Sequence, residues 1–185
     1  MNLRIITQPT TEPVSIETLK AHLRIDSNVD DVLLAAYLKS ARELGEGLAR
    51  RAFITQTLEL YLDTWPCNGM VKLPRPPLQS VVSVKYKDEN GVESTWTNYI
   101  VDERTEPGVI YFKTVPSTAL YESGAIAVRF VAGYGDTPSA VPGVFAQGIL
   151  LTVSHWYENR EGYVNAQLYE IPLGVRPLFL SDRGS

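Results

Sequence analysis

The hydrophobic periodicity of this chain changes twice along its length, and that change leaves few architectures open. Residues 15–51 and 142–157 place apolar side chains at helical spacing, whereas residues 55–131 alternate at period two. A bundle alone cannot use the middle, and a sandwich alone cannot use the ends. The chain therefore reads as α+β, a small helical bundle formed by N- and C-terminal helices with an inserted antiparallel β module. The expected parts are 1–54 and 139–185 for the bundle and its tail, and 55–138 for the β module.

Local signals fill in the elements. Ser15 is a natural N-cap for a short helix over 15–25, in which Ile16, Leu19 and Leu23 recur at helical spacing, and Pro13 marks its boundary. A longer helix starts near 28–31 and runs to about 51, with Asp30 and Asp31 at its positive end and Arg50 and Arg51 at its negative end. Its expected apolar face is Leu33, Tyr37, Ala41, Leu44 and Leu48, and Ala35, Ala36, Gly45 and Gly47 permit close approach of a neighbour. Strands are expected over 57–62, 70–73, 81–86, 99–102, 109–112 and 125–131. Asp88-Glu89-Asn90-Gly91 reads as a hairpin turn, because Asn-Gly adopts positive φ at little cost. Pro74, Pro76 and Pro77 force an edge or a crossover after the 70–73 strand. Gly133-Tyr134-Gly135 ends the β module, and Pro142 opens a third helix whose stripe is Ala146, Ile149, Val153 and Trp156. That helix is expected to pack on the N-terminal pair.

Most chemistry is argued against by what is missing. With 17 basic and 21 acidic residues, for a net charge of −4, the chain is poorly suited to gripping nucleic-acid phosphates. Cys67 is the single cysteine, so no internal disulfide forms. No run approaches the roughly 20 apolar residues of a membrane span, and no membrane association is expected. His22 and His155 have no second His or Cys at ligand spacing, so neither a metal nor a cofactor site is read. The acidic pairs Asp30-Asp31, Asp88-Glu89 and Asp102-Glu103 fall at a helix start, a turn and a loop, where solvated carboxylates are ordinary. Gly133-Tyr134-Gly135 lacks the Lys and hydroxyl ending of a phosphate loop. Pro74-Arg75-Pro76-Pro77 reads as a fixed crossover rather than a proline-rich ligand.

The tail is the strongest functional signal. Ile171-Pro172-Leu173-Gly174-Val175-Arg176-Pro177-Leu178-Phe179-Leu180 is too apolar to stay in water. It must dock on its own domain or on another chain, which puts partner binding ahead of catalysis.

Several short segments then share one likeness. Ile5-Ile6-Thr7-Gln8-Pro9, Glu12-Pro13-Val14-Ser15, Leu19-Lys20-Ala21-His22-Leu23-Arg24-Ile25-Asp26 and Ala52-Phe53-Ile54-Thr55-Gln56-Thr57 resemble the head-tail connector proteins of tailed bacteriophages, prophages and gene transfer agents. These are also called adaptor or head completion proteins. Leu73-Pro74-Arg75-Pro76-Pro77-Leu78-Gln79-Ser80-Val81, Val128-Arg129-Phe130-Val131-Ala132-Gly133-Tyr134 and His155-Trp156-Tyr157-Glu158-Asn159-Arg160-Glu161 extend the resemblance along nearly the whole chain. It implies a structural, non-enzymatic protein of the virion neck, made in the host cytoplasm and assembled as a homo-oligomeric ring, commonly of twelve copies. The partners so implied are the portal protein, the next neck or tail completion protein, and double-stranded DNA passing through the channel without sequence-specific binding. The family's C-terminal segment commonly docks on the portal. That role is carried onto Ile171, Leu173, Val175, Leu178, Phe179 and Leu180, with Arg176 and Arg183 as ion-pair donors. The alternative is a carbohydrate- or protein-binding module with its site on the β unit. Deleting 171–185 is expected to abolish portal binding while leaving the domain folded.

Overall fold

The computed structural model describes residues 2–159 and 174–181. It is a mixed α+β structure of four helices and two antiparallel sheets, and it divides into two compact units. One is built from residues 10–54 and 135–185, the other from residues 1–9 and 55–134.

The first unit is helical, and its N- and C-terminal helices pack together. It contains α1 (Ile16–Leu23), α2 (Asp31–Ala49), α3 (Gly143–Glu158) and α4 (Val175–Leu180), with α3 against α1 and α2, and α4 against α2 and α3. α1 starts where Ser15 Oγ accepts from the Thr18 amide at 3.2 Å, satisfying one of the free donors of the first turn. Arg24 and Arg50 adopt the left-handed conformation at the ends of α1 and α2. A short 3₁₀ turn, Pro138–Ala140, precedes α3, and Pro142 is the N-cap of that helix.

The buried face of α2 is rotated one residue from the expected one. Leu34, Leu38, Ala41, Arg42, Gly45, Glu46 and Ala49 are buried, while Leu33, Tyr37, Leu44 and Leu48 lie half-buried beside them. The physical reason is that an ion pair and a glycine occupy positions that counting apolar residues passes over. On α3 the shift is smaller: Ile149 and Val153 are buried as expected, but Phe145, Gly148 and Thr152 complete the face, and Ala146 and Trp156 are half-buried.

The second unit is the β unit. Its larger sheet has the order β1-β2-β8-β4-β5, from β1 (Asn2–Thr7), β2 (Gln56–Leu62), β8 (Ile126–Ala132), β4 (Leu78–Lys87) and β5 (Glu93–Trp96). β2 and β8 pair so that Leu58 faces Phe130 and Leu60 faces Val128, and all four side chains are buried. The smaller sheet, β3-β7-β6, joins β3 (Met70–Lys72), β7 (Val109–Phe112) and β6 (Tyr99–Asp102). Two features fasten the sheets together. Gly108 lets Leu78 approach so closely that a Cβ there would lie 2.4 Å from Leu78 Cδ2. Trp65 meets Tyr86 and Trp96 of the larger sheet and Phe112 of the smaller, with ring centroids 5.9, 6.4 and 5.1 Å away.

The hairpin forms as its sequence dictates. Asp88 Oδ1 accepts from the amides of Asn90 and Val92, and Gly91 has φ of 79°. β3 is an edge strand, and the prolines after it carry the chain to β4 in the other sheet. The strand Asn2–Thr7 is absent from the periodicity reading; it pairs antiparallel with β2 and belongs with the β unit although it precedes α1 in sequence.

Candidate functional site

The tail residues divide by burial. Val175 and Phe179 are buried in the helical unit, Leu178 and Leu180 are half-buried, and Arg176 is exposed. Ile171, Leu173 and Arg183 lie outside the described residues. Val175 and Phe179 are one helical turn apart on α4, so they share the inward face.

Phe179 ends in a notch made by two glycines. A Cβ on Gly45 of α2 would stand 2.6 Å from Phe179 Cε1, and one on Gly148 of α3 would stand 2.8 Å from Phe179 Cζ. Phe53 stacks on Phe145 at 4.5 Å between centroids and on Phe179 at 6.3 Å. Gly45 is legible in sequence as a small residue on a helix, but Gly148 and the two stacked rings carry no local signal. Gly47, Ala35 and Ala36 are exposed and take no part.

An ion network lies in the same unit. Arg42 Nη1 donates to Glu46 Oε2 at 3.1 Å, both side chains being only 2% exposed, and Arg42 Nε donates to Glu12 Oε2 at 2.8 Å. The second oxygen of Glu46 accepts the Phe53 amide at 2.8 Å. Charges so fully desolvated hold their place only because each finds a partner. The carboxylates at the start of α2 are also engaged: Tyr157 donates to Asp30 at 2.7 Å and Lys20 to Asp31 at 2.9 Å. They tie α3 and α1 to the start of α2. His155 accepts a backbone cap from Asn159 at its carbonyl, 3.1 Å away.

On the larger sheet, register places Arg4, Glu59 and Arg129 in one row across β1, β2 and β8. Arg129 Nε donates to Glu59 Oε1 at 2.9 Å, Tyr61 donates to Glu59 Oε2, and the Arg4 guanidinium lies 5.5 Å from the centre of the Tyr61 ring. The bond to Glu59, followed by burial and the Glu59 charge, raises the Tyr61 phenol above its ordinary value. Beside this row an open depression of about 370 Å³ is lined by Asn2, Arg4, Tyr61, Asp63, Ser123 and Gly124. It is a polar, open surface in which Asp63 Oδ1 accepts from Ser123 Oγ at 3.3 Å and from the Gly124 amide at 2.7 Å. Among the described residues no three His, Cys, Asp or Glu side chains converge to hold a metal ion, and no helix is long and apolar enough to cross a membrane.

Among the described residues, what stands out is packing: an aromatic ring in a two-glycine notch, a buried ion network and a charged row on the sheet. Residues 13–107, just over half of its length, match the model of the Phage gp6-like head-tail connector protein family. The chain belongs to this family. It is a structural connector and not an enzyme. The fold agrees over a much longer span than the family model. A chain from the virion of a native gene transfer agent particle superposes with a TM-score of 0.79 at 25% identity, covering 97% of this chain and 93% of that one. A second, from the neck of an empty gene transfer agent particle computed with sixfold symmetry, gives 0.80 at 23% identity, covering 97% and 95%. A third, from the neck of a native gene transfer agent particle computed with twelvefold symmetry, gives 0.75 at 23% identity, again covering 97% and 95%. Among curated proteins none matches the chain by sequence.

Proposed function

We propose that this connector is a subunit of the virion neck that assembles as a homo-oligomeric ring, joins the portal to the next neck or tail protein, and borders the channel through which double-stranded DNA passes. The observation that carries the reading is the family match over residues 13–107. The fold match across nearly the whole chain supports it, because two of the similar chains come from gene transfer agent necks computed with sixfold and twelvefold symmetry. A net charge of −4 fits a conduit past which a duplex slides, since phosphates are gripped by clustered Lys and Arg.

For the portal contact, the tail remains the segment proposed. Val175 and Phe179 are committed to the helical core, so the exposed Arg176 and the outer sides of Leu178 and Leu180 are the described groups left to meet a partner. Ile171, Leu173 and Arg183 complete the proposed patch. Removing 171–185 would strip Phe179 from the core together with this patch, so the deletion does not separate folding from docking. Substitution of Arg176 by Glu does.

Native mass spectrometry of the purified chain, alone and mixed with the portal ring of the same genome, tests the reading. A portal-bound ring that is weakened by Arg176→Glu supports both ring and patch. A monomer that ignores the portal overturns the connector assembly described here.

A further inference from the structure

The smaller sheet has one covered face and one open face. Val71, Ile110 and Val101 form a row across β3, β7 and β6, and Val71 and Ile110 are buried. The next row, Met70, Tyr111 and Ile100, points the other way. Tyr111 and Ile100 there are 43% and 50% exposed. Lys72 shares this face two residues after Met70, and Lys113, two residues after Tyr111, directly follows β7; both are exposed. Asp102, at the far end of the Lys72 row, is engaged by Arg104 Nε at 3.3 Å. The open face is thus an apolar row with a basic rim.

The tip of the β4–β5 hairpin, in the same unit, carries the opposite sign. Residues 119–121 lie beside it, the Glu89 amide donating to the Ala119 carbonyl at 3.0 Å and the Tyr121 amide to the Lys87 carbonyl at 3.1 Å. The Tyr121 ring comes close to the turn: a Cβ on Gly91 would stand 3.8 Å from its Cε2. Tyr121 and Val92 are 47% and 59% exposed. Glu122 and Glu93 are their neighbours in the chain, and the turn itself carries Asp88 and Glu89. Lys85, at the base of the hairpin beside Lys87, is spent on Glu93 at 2.6 Å. No ion pair among the described residues uses Lys72, Lys113, Glu89 or Glu122. Two exposed apolar patches with rims of opposite sign and no residue in common fit each other better than either fits itself. Contact between different surfaces of identical copies is head-to-tail, the kind that closes a ring.

We propose that the hairpin tip of one copy docks on the open face of the smaller sheet of the next. Tyr121 and Val92 meet Met70, Tyr111 and Ile100, while Glu89 and Glu122 face Lys72 and Lys113. The inference rests on the ring assembly proposed above and names its interface. Both patches stand open in the single chain, so the contact is gained only on association.

Two double variants test it: Lys72→Glu with Lys113→Glu, and Glu89→Lys with Glu122→Lys. All four side chains are exposed, and circular dichroism should show both variants folded; should either fail to fold, Lys113→Glu and Glu122→Lys alone carry the test. Each variant by itself sets like charges against like. Native mass spectrometry, with and without the portal ring, should then find its monomer-to-ring midpoint at about a hundredfold higher concentration than that of the wild type. Mixed in equal amounts, the altered rim of each variant meets the opposite sign on the other, so rings of alternating copies should return near the wild-type concentration. Rings formed by either variant as readily as by the wild type, or a mixture that assembles no better than its components, overturn this interface and leave the ring standing. A wild-type chain that stays monomeric at every concentration, with and without the portal ring, overturns both.

Discussion

The helical unit and the β unit each set an arginine against a glutamate at close to 3 Å, yet the two pairs stand in different solvents. Arg42 and Glu46 are both 2% exposed, whereas Arg129 is 42% exposed beside a Glu59 that is 9% exposed. Distance alone would rank them equal. Burial does not: a charge left alone in the helical core has nowhere to find water, and Arg129 already has it. The helical unit is therefore the part whose integrity hangs on single polar side chains. The β unit relies on rows of apolar residues in register and on Trp65 between its sheets.

The sharpest way to break that comparison is to remove one carboxylate from each unit. Glu46→Ala takes the acceptor from Arg42 Nη1 and from the Phe53 amide, leaving Arg42 hydrogen-bonded only to Glu12, and should cost about 3–5 kcal/mol. Glu59→Ala leaves groups that can turn to water and should cost about 1 kcal/mol or less. Urea unfolding of both variants reads the difference, and equal losses would show that burial is not what separates the pairs.

Next in size is the aromatic knob. Phe179→Ala should lower the stability of the helical unit by about 3 kcal/mol, as for other fully buried aromatic side chains. Hydrogen exchange should then quicken around Gly45 and Gly148, with the amides of β2 and β8 unchanged. Faster exchange throughout both units would mean that they unfold together.

These two sites were legible in sequence to very different degrees. Ser15, the Asn90-Gly91 turn and the alternation of Leu58, Leu60, Val128 and Phe130 announce local structure because their reason is local: a cap, a positive φ, a pleat. The α2 face was misread by one position because Arg42 and Glu46 look like solvent-facing charges until Glu12 and the Phe53 amide are brought to them. The strand Asn2–Thr7 depends on a partner some fifty residues away, and its own exposed pattern gives no alternation to count. Likewise the apolar tail was plainly a segment in need of a cover, but that Phe179 finds two glycines on separate helices is a fact of tertiary packing.

Smaller losses test the local rules in each unit. Ser15→Ala deletes the cap of α1 and should cost about 1 kcal/mol. Gly91→Ala forces a side chain into positive φ and should cost about 1–2 kcal/mol, slightly more than the cap. Thermal unfolding of the pair orders them, and a neutral Gly91→Ala would mean that the hairpin relaxes to a different turn.

The smallest effects should come from titration, because the shifted groups stand at the surface. The Tyr61 phenol, raised first by its bond to Glu59, binds its proton more tightly in the folded chain than in the unfolded one. Its contribution is complete below the ordinary tyrosine value of about 10 and fades as pH rises through the folded value. On the acid side, the Gly124 amide holds the Asp63 carboxyl below its usual range, as Lys85 does for Glu93. Their contributions are present above the ordinary carboxylate values and fade as pH falls through the folded ones. Tyr61→Phe should remove only the alkaline part of the stability profile, and Asp63→Asn only part of the acid one. Both act in the β unit, so a pH profile that responded instead to Glu17 at the start of α1, whose carboxyl is lowered first by its own backbone amide, would place the pH-sensitive charge in the helical unit and reverse the contrast between the two.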